Sequence, residues 1–177
     1  MTVIWGHVMR KLCLALGFMA FLAPPASAAA QQRPLIDRWD ALVMTGMLTD
    51  LGATAITAAT LDGAPGLLAQ TQDGLNMGLY AKACTPSADP AGPICRGVEG
   101  IIGYAPGAGA DVMLLSDKLN HDYADGKFMV ERDGSIRLSR YLDLAGGVSR
   151  ANLQAELSDF LGVASAAKHN LWAIAPR

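Results

Sequence analysis

Hydrophobic and polar positions change period several times along this chain, and each change marks an element. Beyond Pro34, the residues Leu35, Trp39, Leu42, Val43, Met47 and Leu51 recur at intervals of three and four. This is the apolar stripe of a helix, with Pro34 near its start and Gly52 at its end. From Thr54 the period shortens to two. Thr54 to Thr60 is rich in threonine, and Leu67 to Thr71 forms a second apolar run. Leu75, Met77, Leu79 and Ala81 then alternate with polar or small residues up to Cys84. Asp62-Gly63 and Asp73-Gly74 separate these runs, and such pairs favour tight hairpin turns. Val98 to Tyr104 gives a fourth strand. Pro106-Gly107-Ala108-Gly109 interrupts the pattern, and Asp111 is placed to cap a helix carrying Met113, Leu114, Leu119 and Tyr123. Lys127 to Arg132 and Ser135 to Leu144 form two further strands about Asp133-Gly134. Gly146-Gly147 ends them, and Ser149 caps a last helix with Leu153, Leu157, Phe160, Leu161, Leu171 and Trp172 on one face. The predicted order is α-β-β-β-β-α-β-β-α, an α+β fold with an antiparallel sheet flanked by helices.

The first 28 residues do not belong to that pattern. Arg10 and Lys11 precede an apolar run from Leu12 to Ala23, Pro24-Pro25 stops it, and Ala26-Ser27-Ala28 offers small residues for cleavage. These are the three parts of a secretory signal peptide. Ala28-Ala29-Ala30 serves cleavage equally well. The apolar run is shorter than the ~20 residues a membrane span requires, so no membrane insertion is expected after cleavage. Cys13 opens the apolar run instead of ending it, which argues against a lipoprotein. Residues 29–177 then form a single domain of ordinary size. Its expected location is the periplasm or the medium outside the cell.

Charge narrows the partners. The chain has 14 basic and 16 acidic residues, and loss of the leader removes Arg10 and Lys11. An acidic mature chain is a poor match for nucleic acid, whose binding rests on Lys and Arg at the phosphates. Of three cysteines, Cys84 and Cys95 remain in the mature chain. An even count in an exported protein reads as a disulfide, here tying the loop between the third and fourth strands. Closing so short a loop stabilises by roughly 3 kcal/mol.

Candidate chemistry is sparse. His121 lies near Asp117, Asp122 and Asp125, but these offsets do not share one helical face, so no metal site is expected. His169 sits near the end of the last helix, where a cation meets the helix dipole favourably. No nucleophile elbow, phosphate loop or zinc-protease motif occurs. Ser149 is explained by capping, and Gly107-Ala108-Gly109 by its loop. Glu99 is expected on the solvent face of its strand. No catalytic residue and no cofactor is assigned. Tyr80, Tyr104 and Tyr141 each fall on a strand, and a face shared by them would make an aromatic binding platform. Met44, Met47, Met77, Met113 and Met129 are expected to fill the core.

The carboxy-terminal half carries a resemblance. Asp117-Lys118-Leu119-Asn120, Phe128-Met129-Val130-Glu131-Arg132-Asp133-Gly134 and Tyr141-Leu142-Asp143-Leu144-Ala145-Gly146-Gly147-Val148 resemble the YbjN family. In that family a hydrophobic-Asn helix end precedes a strand opening with Phe, an Asp-Gly turn and an acidic strand ending in Gly-Gly-Val. The similarity spans 35–172. Asp122-Tyr123 stand where members often carry Trp-Asn, and Arg137 to Tyr141 is more basic than usual. The resemblance implies a fold similar to type III secretion chaperones, often dimeric, a link to sensory or stress regulation, and no catalytic residues. The expected function is an exported, non-enzymatic module that binds a protein or peptide, with a homodimer as one partner arrangement. The alternatives are an exported hydrolase and a structural envelope protein.

Overall fold

A computed structural model of the chain describes residues 34–88 and 92–174. Its elements are α1 (Ala41–Asp50), β1 (Thr54–Leu61), β2 (Ala64–Gln70), β3 (Asn76–Thr85), β4 (Ile94–Tyr104), α2 (Val112–Asp122), β5 (Lys127–Val130), β6 (Ile136–Asp143) and α3 (Arg150–Ile174). The strands form one six-stranded antiparallel sheet in the order β1-β2-β3-β4-β6-β5. The fold is α+β, in the element order read from the sequence. The proposed leader, residues 1–28, lies outside the described residues. No described helix is long and apolar enough to cross a membrane.

The first helix begins later than its apolar stripe predicts. Asp40 caps it, accepting from the N–H groups of Leu42 at 2.8 Å and Val43 at 3.1 Å. Residues before Asp40 are bound elsewhere. Ile36 and Val148 exchange backbone hydrogen bonds at 2.8 and 2.9 Å, and the Trp39 N–H donates to the Cys95 carbonyl at 2.7 Å. Leu35 and Trp39 thus belong to a strap, not to the helix. Its other end is as expected. Gly52, at φ 78°, donates to Thr49, and Ala53 donates to Leu48, which closes the last turn.

The second strand starts three residues before Leu67, at Ala64. Asp62 and Gly63 both have positive φ, at 52° and 79°, so the Leu61–Ala64 pair closes a two-residue hairpin. One residue further, Pro65 faces Thr60 with its nitrogen directed away from β1. Pairing of β2 with β3 reaches only to Gly66, so the missing N–H is not needed.

All three helices cover one face of the sheet. Leu67, Leu79, Val98, Ile102, Ile136 and Leu138 meet Met44, Met47, Leu48, Leu115, Leu119, Leu157 and Phe160 in a single core. Gly100 gives Phe160 its place, since a Cβ there would stand 2.9 Å from the ring. Within α2 the buried positions are Leu115, Ser116 and Leu119, while Met113 and Leu114 are 62% and 66% exposed. The prediction that both face the core is therefore corrected. Leu115 and Leu119, one turn apart, already fill the contact with β5. Met44, Met47 and Met77 are buried as expected, and Met129 only partly. The side chains of His169 and Trp172 lie outside the described residues.

The two edges of the sheet are finished differently. At β5, the Asn120 side chain donates to the Phe128 carbonyl at 2.9 Å and accepts from the Phe128 N–H at 2.8 Å, and Ser116 Oγ donates to the same carbonyl at 3.2 Å. Asn120 thereby stands in for the next strand. At β1 no described side chain does so.

Candidate functional site

The strand register separates the three tyrosines. On β4, Val98, Ile102 and Tyr104 share parity and face the helices. Tyr104 is 7% exposed, and its hydroxyl donates to the Ala164 carbonyl of α3 at 2.9 Å. Burial pushes its phenol well above the ordinary tyrosine value, and the negative charge of Asp73 adds to the effect. Tyr104 is thus a core residue, and the expectation of a platform shared by all three is corrected.

Tyr80 and Tyr141 do share a face, the one without helices. Tyr80 pairs with Glu99 across β3–β4, and Glu99 pairs with Tyr141 across β4–β6. The three residues form one row perpendicular to the strands, with the tyrosine backbones roughly 10 Å apart at ordinary strand spacing. Glycines form the floor of this row. A Cβ at Gly66 would lie 2.3 Å from the Tyr80 ring and one at Gly78 2.4 Å from it, while a Cβ at Gly97 would lie 2.3 Å from the Tyr141 hydroxyl. Each ring therefore lies down across bare backbone instead of standing up from the sheet. Tyr141 is 53% exposed, and Tyr80 is half-buried.

Between the rings, the Glu99 carboxylate accepts an ion pair from Lys82 Nζ at 2.9 Å. Arg137 and Glu131 make a second pair at 2.8 Å further along the same face. Leu68, 45% exposed, and the half-buried Ile101 and Met129 complete its apolar area. Reading the sequence for paired carboxylates misses this arrangement, because its polar partner Lys82 stands on a neighbouring strand. The glycines at 66, 78 and 97 were the available signal. Three glycines on one face of adjoining strands mark a place where something lies close to the backbone.

A recess of about 760 Å³ lies elsewhere. It is built from the strap and the amino ends of α1 and α3, with Pro34, Leu35, Ile36, Val43 and Ala151 as apolar lining and Arg38 and Arg150 among its polar residues. Ser149 borders it, but its hydroxyl accepts from the Asn152 N–H at 3.1 Å, the capping role the sequence suggests. Arg150 is engaged by Asp50 at 2.8 Å.

The remaining candidates are placed plainly. His121 is exposed on the last turn of α2, and neighbouring Asp122 is held by Lys118. Among the described residues no cluster of His, Cys, Asp and Glu is arranged to hold a metal. Asp73 is held below the ordinary carboxylate range, chiefly by the hydrogen bond from Thr71 Oγ1 at 2.5 Å, with Ser165 assisting and burial opposing. Lys168 donates to the Asp73 carbonyl at 2.5 Å, so this network fastens the β2–β3 turn to α3. Cys84 and Cys95 are bonded directly across β3 and β4, inside the ladder and not in the loop beyond it. A disulfide of this kind belongs to a chain that folds in an oxidising compartment.

Comparison of the chain with protein-family models and with curated proteins gave no match.

Proposed function

We propose that this chain is an exported, non-enzymatic binding module of the YbjN type, which holds an extended segment of a partner protein across the open face of its sheet. The Tyr80–Glu99–Tyr141 row carries the reading. Two rings lying flat, with a carboxylate between them, suit a lysine or arginine side chain, which would exchange places with Lys82 at Glu99 and stack on an aromatic face. Leu68, Ile101 and Met129 supply apolar contact to either side. The disulfide supports folding outside the cytoplasm, and the leader would deliver the chain to the periplasm or the medium.

The test is a binding screen with extended peptides of about ten residues that differ in a central Lys, Arg, Leu or Glu. Basic peptides should bind, and Glu99→Gln or Tyr141→Ala should weaken them by about tenfold, the size of one cation–π contact. Equal binding of acidic and basic peptides, or affinity untouched by both variants, would sink the assignment to this row. A hydrolytic activity in the purified protein that survives both variants would favour the enzyme alternative.

A further inference from the structure

We propose that the open face selects arginine over lysine, at a subsite around Gly97 whose resident occupant is the chain's own Lys82. This rests on the peptide-binding reading of that face and names the side chain it takes. The two rings of the row are not equivalent. Tyr80 leans over Gly66 and Gly78, where a Cβ would stand 2.3 and 2.4 Å from its ring, so it lies toward β2 and away from Glu99. Tyr141 leans the other way, onto β4. A Cβ at Gly97 would stand 2.3 Å from its hydroxyl and 2.7 Å from two of its ring carbons.

Gly97 is also where the register gathers charge. Its partner on β3 is Lys82 and its partner on β6 is Asp143, while Glu99 follows two residues later on the same face. The Lys82 ammonium is already paired with Glu99 at 2.9 Å, and both side chains are partly buried. One oxygen of Asp143 accepts from the Ala145 N–H at 2.8 Å, and its negative charge adds to that of Glu99. A bare backbone floor, an aromatic face and two carboxylates thus meet at one point, with a lysine holding the place of a ligand cation.

An incoming lysine would trade one ammonium for another at Glu99, with little net electrostatic gain. An arginine can lie flat on the Tyr141 ring and direct the edge of its planar fork sideways to the carboxylate. A tetrahedral ammonium does not make those two contacts together. Lys82 acts as a built-in competitor. It keeps Glu99 paired when no peptide is bound, and it lowers the apparent affinity of every side chain that uses this carboxylate. That handicap is common to lysine and arginine, so the threshold comes from Lys82 and the preference from ring and fork.

The test is calorimetric titration of the full chain with extended peptides alike except for a central Arg, Lys or Leu. The arginine peptide should bind native protein about tenfold tighter than the lysine peptide. Lys82→Met should tighten both basic peptides by a common factor of about five and leave the leucine peptide unchanged. Gly97→Ala touches no charge but displaces the Tyr141 ring, and should shrink the arginine advantage to about twofold. Far-ultraviolet circular dichroism verifies that the variants are folded, and Lys82→Met decides the matter even if Gly97→Ala is not. Basic peptides that outbind leucine but show no difference between arginine and lysine would overturn the selection while the peptide-binding reading stands. So would basic peptides weakened by Glu99→Gln yet unmoved by Lys82→Met. If neither basic peptide outbinds leucine on the native chain or on Lys82→Met, the peptide-binding reading itself falls, and the arginine subsite with it.

Discussion

Tyr104 and Tyr141 lie on the adjacent strands β4 and β6, yet one is 7% exposed and the other 53%. The difference follows from which side of the pleat each occupies. On the helix side, large side chains interlock and a hydroxyl survives only by finding Ala164 O. On the open side, glycines lower the surface, and the rings of Tyr80 and Tyr141 settle onto backbone with polar pairs around them. The first face resists change because its contacts are dense and shared. The second tolerates change in stability, since much of what its side chains touch is water.

The sharpest way to break this contrast is at Phe160, whose ring packs on Gly100. Phe160→Ala should cost about 3–5 kcal/mol in urea unfolding, whereas Tyr141→Ala on the other face should cost well under ~1 kcal/mol. Comparable losses would mean that the open face is covered in solution. Reduction of Cys84–Cys95 ranks next. It should lower stability by roughly 2–4 kcal/mol, measured as a shift of the unfolding midpoint with dithiothreitol, and native protein should show neither of these thiols to a titrating reagent.

Tyr104→Phe keeps the buried ring and removes only its hydrogen bond. A loss of about 1 kcal/mol is expected, together with a change in pH dependence. In the folded protein the phenol is held protonated, while in the unfolded chain it ionises near pH ~10. Its contribution is therefore complete below that pH and is lost as pH rises above it. Stability measured toward pH ~11 should fall less steeply for Tyr104→Phe than for the native chain. Parallel declines would show that the phenol is not what senses alkali. The smallest effect belongs to His121→Ala. Exposed at the end of α2, it should change stability by less than ~0.5 kcal/mol and leave peptide binding intact.

Much of the fold is legible from alternation and turn residues, and the misses have physical causes. Strand parity alone separates the tyrosines. Tyr104 keeps step with Val98 and Ile102, while Tyr80 is out of step with Met77 and Leu79, and Tyr141 with Leu138 and Leu142. What parity does not give is neighbourhood. That Tyr80, Glu99 and Tyr141 stand in one row depends on register between strands distant in sequence. The early residues Leu35 and Trp39 mimic a helical stripe by spacing, but Asp40 is the stronger signal because its carboxylate satisfies otherwise orphaned N–H groups. Asn120 stands out in the sequence only as a motif residue at a helix end, and its service to the β5 edge becomes visible only when β5 lies beside it.

The strap that joins Ile36 to Val148 bears on the order in which the molecule can be completed. Residues near the start of the described chain find their hydrogen-bond partners beyond the whole sheet, just before α3 begins, and Trp39 must await Cys95. A chain emerging amino end first therefore holds this stretch unpaired until nearly everything else has appeared, since such a closure gains nothing before both ends exist. The final stitch is made by a segment that has waited longest.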